Sequence, residues 1–456
     1  MEPLMHVCSR LGDSRLEPPS PLAGEGPGVR GSSALTQFAA DRRLLLRAAA
    51  LGGLSWLTPV AEVLARRAER EPKKPAQSLI VVWLAGGPSQ LETFDPHAGK
   101  SIAGDTRSIR TCLPGIELAE GFEQLADVLK LATLVRNVYS KEGDHDRGSY
   151  LLKTGYRPDP TLIHPSIGAI CCRERKDPGV EIPRHITILP ERFSGQGGWL
   201  GAQYDPFRTG DPREKVPDVV AKVDDARQRA RLDDELVIER AFARGREQAV
   251  QATMHRQMVD TARRMMTSEQ LKAFDVSQEP KELQAAYGNT PFGRGCLAAR
   301  RLIEVGVRCV EVTLTGWDSH VKNHEIQRAQ VDILDPALST LLTDLEQRGL
   351  LASTVVLCGG EFGRSPAINR LGGRDHWPGG FSVLVAGGRL RRGHVVGETD
   401  PEGKALKPEQ STSVADLHAT LLSALGINFA HEESGPFGRL VKYSEGQPLA
   451  GLVEKG

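Results

Sequence analysis

Short, continuous apolar runs alternate with amphipathic stretches along most of the chain, and this alternation is what most constrains its fold. Each run is rich in β-branched residues and bounded by glycine, proline or charged residues, as expected for a buried strand. The predicted strands are Ser78–Leu84, Thr133–Arg136, Ile186–Leu189, Val307–Leu314, Thr354–Cys358 and Ser382–Ala386. Helical periodicity falls between them, over Phe122–Leu131, Arg294–Val305, Asp335–Arg348 and Val414–Leu425. The pattern predicts an α/β domain with a mostly parallel sheet covered by helices on both faces.

The segment 212–285 departs from this alternation, because it is highly charged, poor in strands and helical in period. Charges of both signs are interspersed there, which predicts a helical insertion with a solvated face. We expect the whole of 75–456 to form one domain with this insertion. The chain carries 58 Lys+Arg against 58 Asp+Glu and only 5% aromatic residues. This balance lacks the basic excess typical of a nucleic-acid partner.

The amino-terminal residues have a different composition. Residues 1–40 are rich in turn formers and lack an apolar period, which predicts a disordered or spurious extension. In the next segment, 41–65, Arg42-Arg43 precedes the apolar run Ala48–Val60, the twin-arginine export pattern. This run is shorter than the roughly 20 residues of a membrane span, so no stable transmembrane segment is expected after processing. We therefore expect a twin-arginine translocase as partner and a periplasmic or cell-envelope location; the alternative is a short amphipathic helix at the domain edge.

Residues able to do chemistry follow the predicted strands. The carboxyl ends of parallel strands meet at one edge of a sheet, so these side chains are expected to converge there. Carboxylates and imidazoles are ligands for Zn²⁺, Ca²⁺, Mg²⁺ or Mn²⁺. The candidate metal ligands are Asp95, Asp318, His320, Glu361, Asp375 and His376. Some of them also have a purely structural alternative: a turn-stabilising pair at Asp318 and His320, a cap of the next turn at Glu361, and a structural hydrogen bond between Asp375 and His376.

Arginines accompany these candidates. A guanidinium group matches the geometry of a phosphate or sulfate oxyanion, which makes Arg147, Arg364 and Arg374 candidate oxyanion ligands. The segment Gly143–Ser149 adds His145, Asp146 and Ser149. A loop that only buttresses the site is the alternative for this segment.

Several motifs together resemble the DUF1501 family of bacterial proteins. They are Leu84–Gln90, Gly143–Gly148, Leu297–Arg308, Gly316–His320, Gly360–Pro366, Gly373–Pro378 and Asp416–Thr420. That family is grouped with the alkaline phosphatase and sulfatase superfamily. The resemblance implies a three-layer α/β/α sandwich and hydrolysis of a sulfate or phosphate ester, on a small molecule or a glycan, at one or two divalent metal ions.

The resemblance also implies roles for individual residues. Asp318, His320 and His376 would hold one metal ion, with His324 as a rival to His320. Glu361 would hold a second ion together with Asp95 or Glu92, although Phe362 follows Glu361 where the superfamily usually has histidine. By position, Asp146 would be a metal ligand or the nucleophile, with Ser149 as a displaced nucleophile and His145 beside them.

The segment has no cysteine to become a formylglycine, which disfavours an ordinary sulfatase mechanism. The expected activity is therefore that of an exported, metal-dependent ester hydrolase. The alternatives are a non-catalytic metal- or glycan-binding envelope protein of the same fold, and a phosphate-moving mutase or transferase, which export disfavours.

Overall fold

The computed structural model describes residues 75–220, 222–245 and 255–454. The predicted extension at 1–40 and the predicted export segment at 41–65 lie outside these residues. From Pro72 onward the chain forms one compact unit. Among the described residues no helix is both long and apolar enough to cross a membrane.

Nine strands within the described residues form the central sheet. They are β1 (Ser78–Ala85), β4 (Ala132–Tyr139), β5 (His185–Ile188), β6 (Phe207–Thr209), β7 (Cys309–Thr315), β8 (Thr354–Gly359), β11 (Phe381–Gly387), β12 (His394–Val396) and β13 (Thr412–Ser413). Three two-stranded ribbons lie outside it: β2 (Ser108–Arg110) with β3 (Glu117–Ala119), β9 (Gly363–Arg364) with β10 (His376–Trp377), and β14 (Glu432–Ser434) with β15 (Leu440–Lys442).

The sheet order is β12-β4-β11-β8-β1-β7-β5-β6, with β13 pairing on β4. Every pair in it is parallel except the two made by β11, which runs antiparallel to both β4 and β8. The carboxyl ends of β1, β4, β7 and β8 therefore share one edge, and the residues that precede β11 reach that same edge. The mostly parallel sheet predicted from the sequence is confirmed.

Both faces of the sheet are buried, as the continuous apolar runs predict. In β1, Ile80, Val82 and Leu84 pack into one apolar cluster, whereas Leu79, Val81 and Trp83 pack into another on the opposite face. This period of two shows that helices cover both sides and that the molecule has three layers.

The helices of the described residues fall into two layers and an insertion. They are α1 (Glu123–Val128), α2 (His145–Thr154), α3 (Ile167–Glu174), α4 (Asp225–Ala243), α5 (His255–Thr267), α6 (Lys281–Ala286), α7 (Pro291–Glu304), α8 (Asn323–Gln347) and α9 (Val414–Ala424). Helices α1, α7 and α8 contribute to the first apolar cluster, and α2, α3 and α9 to the second. Helices α4, α5 and α6 lie in, or at the end of, the predicted insertion 212–285. Helix α8 begins well before the predicted Asp335, so the sequence pattern underestimates its length.

Candidate metal centre

Four loops bring polar side chains together at the carboxyl edge of the sheet. Asp318 and His320 follow β7, Glu361 follows β8, and His145 opens α2 shortly after β4. His376 arrives from the opposite direction, in the β9–β10 ribbon that leads into β11. The antiparallel β11 thus delivers a histidine to an edge otherwise built by strand ends.

His145 is fixed by Glu361. Its Nδ1 lies 2.7 Å from Glu361 Oε1, and the same oxygen accepts the Gly86 N–H at 2.9 Å. Glu361 is only 2% exposed, and the ring of Phe362 packs against His145 with a centroid distance of 5.1 Å. Because a carboxylate can only accept, Nδ1 carries the proton and the Nε2 lone pair is left free.

His376 and His320 are oriented in the same way. The Nδ1 group of His376 donates to the Gly143 carbonyl oxygen at 2.7 Å, and Nδ1 of His320 faces Asp375 Oδ1 at 3.1 Å. Both rings therefore keep an Nε2 lone pair, and these two nitrogens lie 3.0 Å apart. A metal-bound histidine commonly donates its other ring N–H to a carboxylate or a backbone carbonyl, so this arrangement is the one that metal ligation uses.

Asp318 occupies the middle of the three imidazoles. Its Oδ2 lies 3.3 Å from His145 Nε2, and its Oδ1 lies 3.2 Å from His320 Nε2 and 3.4 Å from His376 Nε2. With the tautomers assigned above, these contacts bring acceptor against acceptor. Protons or a bound cation must neutralise such a set.

The donor set matches a divalent metal ion. One nitrogen or oxygen atom from each of His145, Asp318 and His376 lies within 4.8 Å of the others, a spacing compatible with a bound metal ion. Imidazole nitrogens with one carboxylate suit Zn²⁺ and other transition-metal ions, whereas Ca²⁺ and Mg²⁺ prefer sites made only of oxygen ligands. We call these three residues together with His320 the candidate metal centre.

Charges around the centre shift its pKa values in opposite directions. The hydrogen bond to Glu361 raises the pKa of His145, whereas burial lowers the pKa of His376. Burial works to raise the pKa of Asp318, but the hydrogen bond and charge of Arg364 outweigh it and lower that pKa. Asp318 is therefore an anion at neutral pH.

Arg364 holds Asp318 in place. Its guanidinium donates to Asp318 Oδ1 at 2.6 Å, to the Gly87 carbonyl at 2.8 Å and to the Arg374 carbonyl at 3.1 Å, and it also contacts the Gly86 carbonyl. The side chain is fully buried. Arg364 thus reaches the centre as predicted, but its contacts suit positioning of Asp318 better than capture of an oxyanion.

Arg374 lies away from the centre. It is fully buried and donates to Glu92 Oε1 at 3.0 Å. Its other N–H groups donate to backbone carbonyls, among them those of Pro366 and Ile102. These contacts leave no donor for the oxyanion predicted from the sequence. His324 Nδ1 also faces Glu92 Oε1, at 3.2 Å, and so belongs to this group and not to the metal centre.

The three remaining candidates, Arg147, Asp146 and Ser149, lie in the first turns of α2 and have different surroundings. Arg147 forms a two-pronged hydrogen bond with Glu142, at 2.7 and 3.0 Å. Asp146 is exposed and pairs with Arg192 at 3.5 Å. Ser149 is 3% exposed, one turn below His145 on the same helical face. The structure brings His145 into the centre, whereas among the described residues neither Asp146 nor Ser149 has a side-chain hydrogen bond or ion pair with it.

Asp95 and Asp375 also have defined partners. Asp95 is buried and accepts from the Thr399 N–H and hydroxyl at 2.7 and 2.8 Å, with Arg136 at 3.3 Å, so it anchors the loop after β12. The Asp375 carboxylate hydrogen-bonds to His320 of the centre at 3.1 Å. This contact orients the His320 imidazole, so Asp375 supports a metal ligand and is not a ligand itself.

Sequence reasoning missed the backbone contributions. The Gly86 N–H and the Gly143 carbonyl fix Glu361 and His376, and neither shows in a pattern of side-chain types. Gly86 has a φ of 115°, and a Cβ there would lie 2.6 Å from the Asp318 nitrogen. The glycine pair after the first predicted strand was the available signal, since close backbone approach requires glycine.

A three-layer α/β sandwich with a histidine–aspartate group at its carboxyl edge defines the class of this molecule: an α/β protein with a candidate metal centre. A family model matches residues 76–453, and its description reads "Protein of unknown function (DUF1501)". The chain belongs to that family, as the motifs predicted.

Solved structures with similar folds have low sequence identity to the chain. A sulfatase from Pseudoalteromonas sp. is 11% identical with a TM-score of 0.36, over 82% of this chain and 72% of that one. The alkaline phosphatase from the Antarctic bacterium TAB5 is 12% identical with a TM-score of 0.35, over 78% and 100%. The lipoteichoic acid synthase LtaP from Listeria monocytogenes is 9% identical with a TM-score of 0.35, over 82% and 76%. No curated protein sequence matches the chain.

Proposed function

We propose that this protein is an exported metal-dependent hydrolase that cleaves a sulfate or phosphate ester. One observation carries the proposal: the Nε2 atoms of three imidazoles converge on the Asp318 carboxylate, to which Arg364 is the side-chain proton donor among the described residues. The Nδ1 atoms of His145, His320 and His376 are each occupied by an acceptor, so their Nε2 atoms are available for a metal ion.

His145, Asp318 and His376, with His320, would hold the metal ion. The ion would supply a positive charge that polarises the ester and stabilises the charge that develops on its oxygens. Glu361, Asp375 and the Gly143 carbonyl keep the three imidazoles in one tautomer, and Arg364 keeps Asp318 ionised and in place. The chain thus prepares the binding geometry before any substrate arrives.

The exposure of the centre fits an ester that approaches from solvent. The side chains of Asp318 and His320 are each 45% exposed. The supporting groups, Glu361 and Arg364, are almost completely buried beneath them. A rigid, buried support under an accessible set of ligands is the arrangement expected of a reactive site and not of a closed structural metal site.

The test combines metal analysis with turnover. The protein from residue 66 onward would be loaded with Zn²⁺, Ca²⁺, Mg²⁺ or Mn²⁺ in turn and assayed on aryl sulfates and on phosphate mono- and diesters. We expect turnover with one metal, and loss of bound metal and of turnover in Asp318→Asn and in His376→Ala. His394→Ala, in β12, is the matched histidine control. Metal content unchanged in both variants would contradict the proposal.

A second function is favoured by one observation. Within the part of the chain that the structure describes, Asp146 and Ser149, the two candidates for a nucleophile, have no side-chain hydrogen bond or ion pair with the centre. A non-catalytic metal- or glycan-binding envelope protein would need no nucleophile. Stoichiometric metal binding lost in His376→Ala, together with no turnover across the whole ester panel, would support this alternative.

Export is tested separately. The wild-type chain and a variant with Arg42→Lys and Arg43→Lys would be expressed in a bacterium with a working twin-arginine translocase. We expect the wild type in the periplasmic fraction and the variant in the cytoplasm; equal fractionation of the two would reject the export signal.

A further inference from the structure

A cavity of about 490 Å³, lined by both polar and apolar residues, lies beside the carboxyl end of the edge strand β6. The segment after β6, the turn around Val276 and the start of α7 form its walls. Its volume falls within the range of roughly 300–1,000 Å³ typical of small-molecule sites. The polar side chains that line it include Arg213, Ser277, Lys281, Gln284, Asn289 and Arg294.

The charges of the cavity do not cancel. Arg294 donates to Asp211 at 2.7 Å and is neutralised by that carboxylate. The Arg213 guanidinium donates to the amide oxygen of Asn289, at 3.1 Å, and its backbone N–H donates to Asp211 Oδ1 at 3.0 Å. Lys281 Nζ lies 3.5 Å from Gln284 Oε1. Within the described ranges, neither Arg213 nor Lys281 forms a salt bridge. Among the described residues, these two exposed cations therefore face the cavity without a direct ion pair, and the Asp211 carboxylate is shared between Arg294 and Arg213.

The one acid in the wall does not offset both. Asp275 accepts from the Ser277 N–H and hydroxyl at 3.1 and 2.6 Å and from Gln278 at 3.1 Å. Its oxygens are thus used within its own turn. A guanidinium and an ammonium group with free donors favour a ligand that brings a phosphate or sulfate group.

Neutral polar groups complete the wall. The Asn289 amide oxygen accepts from both Arg213 and Arg294, each at 3.1 Å, and this orients its Nδ2 donors. The Nδ2 group makes no hydrogen bond to any other described residue. An oriented amide between cations suits a ligand that carries hydroxyl groups besides its anionic group.

The cavity lies at the same edge of the sheet as the candidate metal centre. The centre is built over the ends of β8, β1 and β7, and β5 and β6 follow in the sheet order. From β1 to β6 there are three strand spacings of about 4.8 Å, which is roughly 14 Å. The two sites therefore lie at one edge of the sheet, separated by a distance that a ligand of a few sugar units can span.

We propose that this cavity is an accessory site for an anionic sugar unit, a sulfated or phosphorylated monosaccharide or one unit of a glycan. The cavity binds such a sugar by itself. Its use as a subsite for a long substrate rests, in addition, on the proposed hydrolase function.

Binding is tested in the presence of a chelator, so that the metal centre does not contribute. Calorimetric titrations would compare glucose 6-sulfate, glucose 6-phosphate and glucose on the full chain. We expect binding of at least one anionic sugar and none of glucose. The double variant Arg213→Gln/Lys281→Gln should weaken that binding at least tenfold with an unchanged thermal midpoint.

The charge-matched control is Lys130→Gln/Lys407→Gln, which removes two exposed cations elsewhere. The control should bind like the wild type. No binding of either anionic sugar, or an equal loss in the control, would overturn the proposed accessory site. The comparison of glucose 6-sulfate with glucose 6-phosphate shows which of the two anionic groups the cavity binds.

Kinetics then distinguish the two proposals. On an oligomeric ester the double variant should raise KM at least fivefold at unchanged kcat, and on a monomeric ester it should change neither. Sugar binding without turnover of any ester would reject the hydrolase and leave the binding site standing. Turnover without sugar binding would reject the accessory site and leave the hydrolase standing.

Discussion

The Nε2 atoms of His320 and His376 lie 3.0 Å apart, and each ring has its Nδ1 already donating to another acceptor. Two lone pairs at this distance repel each other unless a proton or a cation lies between them. The arrangement is held from outside by Asp375 and by the Gly143 carbonyl. Its stability therefore depends on what binds between the rings.

Removing an orienting carboxylate should weaken metal binding while sparing the fold. In Asp375→Asn and in Glu361→Gln the tautomers of His320 and His145 are no longer fixed, and we expect a loss of about 10–100-fold in metal affinity. Competition with a chromogenic chelator would measure it. Asp332→Asn, on the exposed side of α8, is the control; an affinity unchanged in both test variants would contradict the assigned tautomers.

Gly86 should tolerate no side chain. Gly86→Ala places a Cβ 2.6 Å from the Asp318 nitrogen, at a φ of 115°, and so combines a clash with backbone strain. Gly99→Ala is the matched control, since Gly99 has a φ of 83° but nothing within 4 Å of its Cβ position. We expect about 1 kcal/mol of destabilisation in Gly99→Ala and clearly more in Gly86→Ala, with loss of metal only in the latter. Equal unfolding free energies would show that the close approach is unimportant.

The Arg374–Glu92 pair should be important for stability. Arg374→Met would remove the guanidinium from the buried Glu92 carboxylate, leave it only His324 and Thr106 as side-chain partners, and leave several backbone carbonyls unpaired, at a cost of about 3 kcal/mol. Partial relief is expected in Arg374→Met/Glu92→Gln, because the second change removes the buried charge. Denaturant unfolding measures all three proteins. If Arg374→Met were as stable as the wild type, the Arg374–Glu92 pair would not contribute to the stability of the fold.

A buried histidine should make the fold acid-sensitive. Complete burial lowers the pKa of His418 from 6.5 to about 4, and its Nε2 donates to the Leu152 carbonyl. The folded state resists protonation, so the stability present above pH 6.5 is lost as the pH falls toward 4. Between pH 7.5 and pH 5 this loss is about 2 kcal/mol. His418→Gln should lose less over that interval in denaturant unfolding, and His431→Gln, near the carboxyl terminus, should lose as much as the wild type.

The fold was predictable because local patterns determine it. The apolar run of β1 and the helical periodicity of α7 can each be recognised from about ten consecutive residues. The antiparallel direction of β11 was not, because an apolar run looks the same in either direction. The start of α8 was missed because its first turns, around Asn323 and His324, carry polar residues that serve other contacts.

The site was predictable by residue type more than by role. Asp318, His320 and His376 were singled out by their place after strands, and they do lie together. Arg374 and Asp95 were singled out by the same reasoning, yet each is neutralised within the interior. Whether a charged side chain turns toward the edge or into the core depends on partners such as Glu92 and Thr399, which lie far away in sequence.

The hydrogen bond from the Gly86 N–H to the Glu361 carboxylate joins positions 275 residues apart in the chain. The candidate metal centre also needs His376, which comes still later. During synthesis none of these contacts can form until most of the polypeptide has left the ribosome. The candidate metal centre can therefore assemble only in a nearly complete molecule, and we expect a chain that ends before β8 to have no specific affinity for metal.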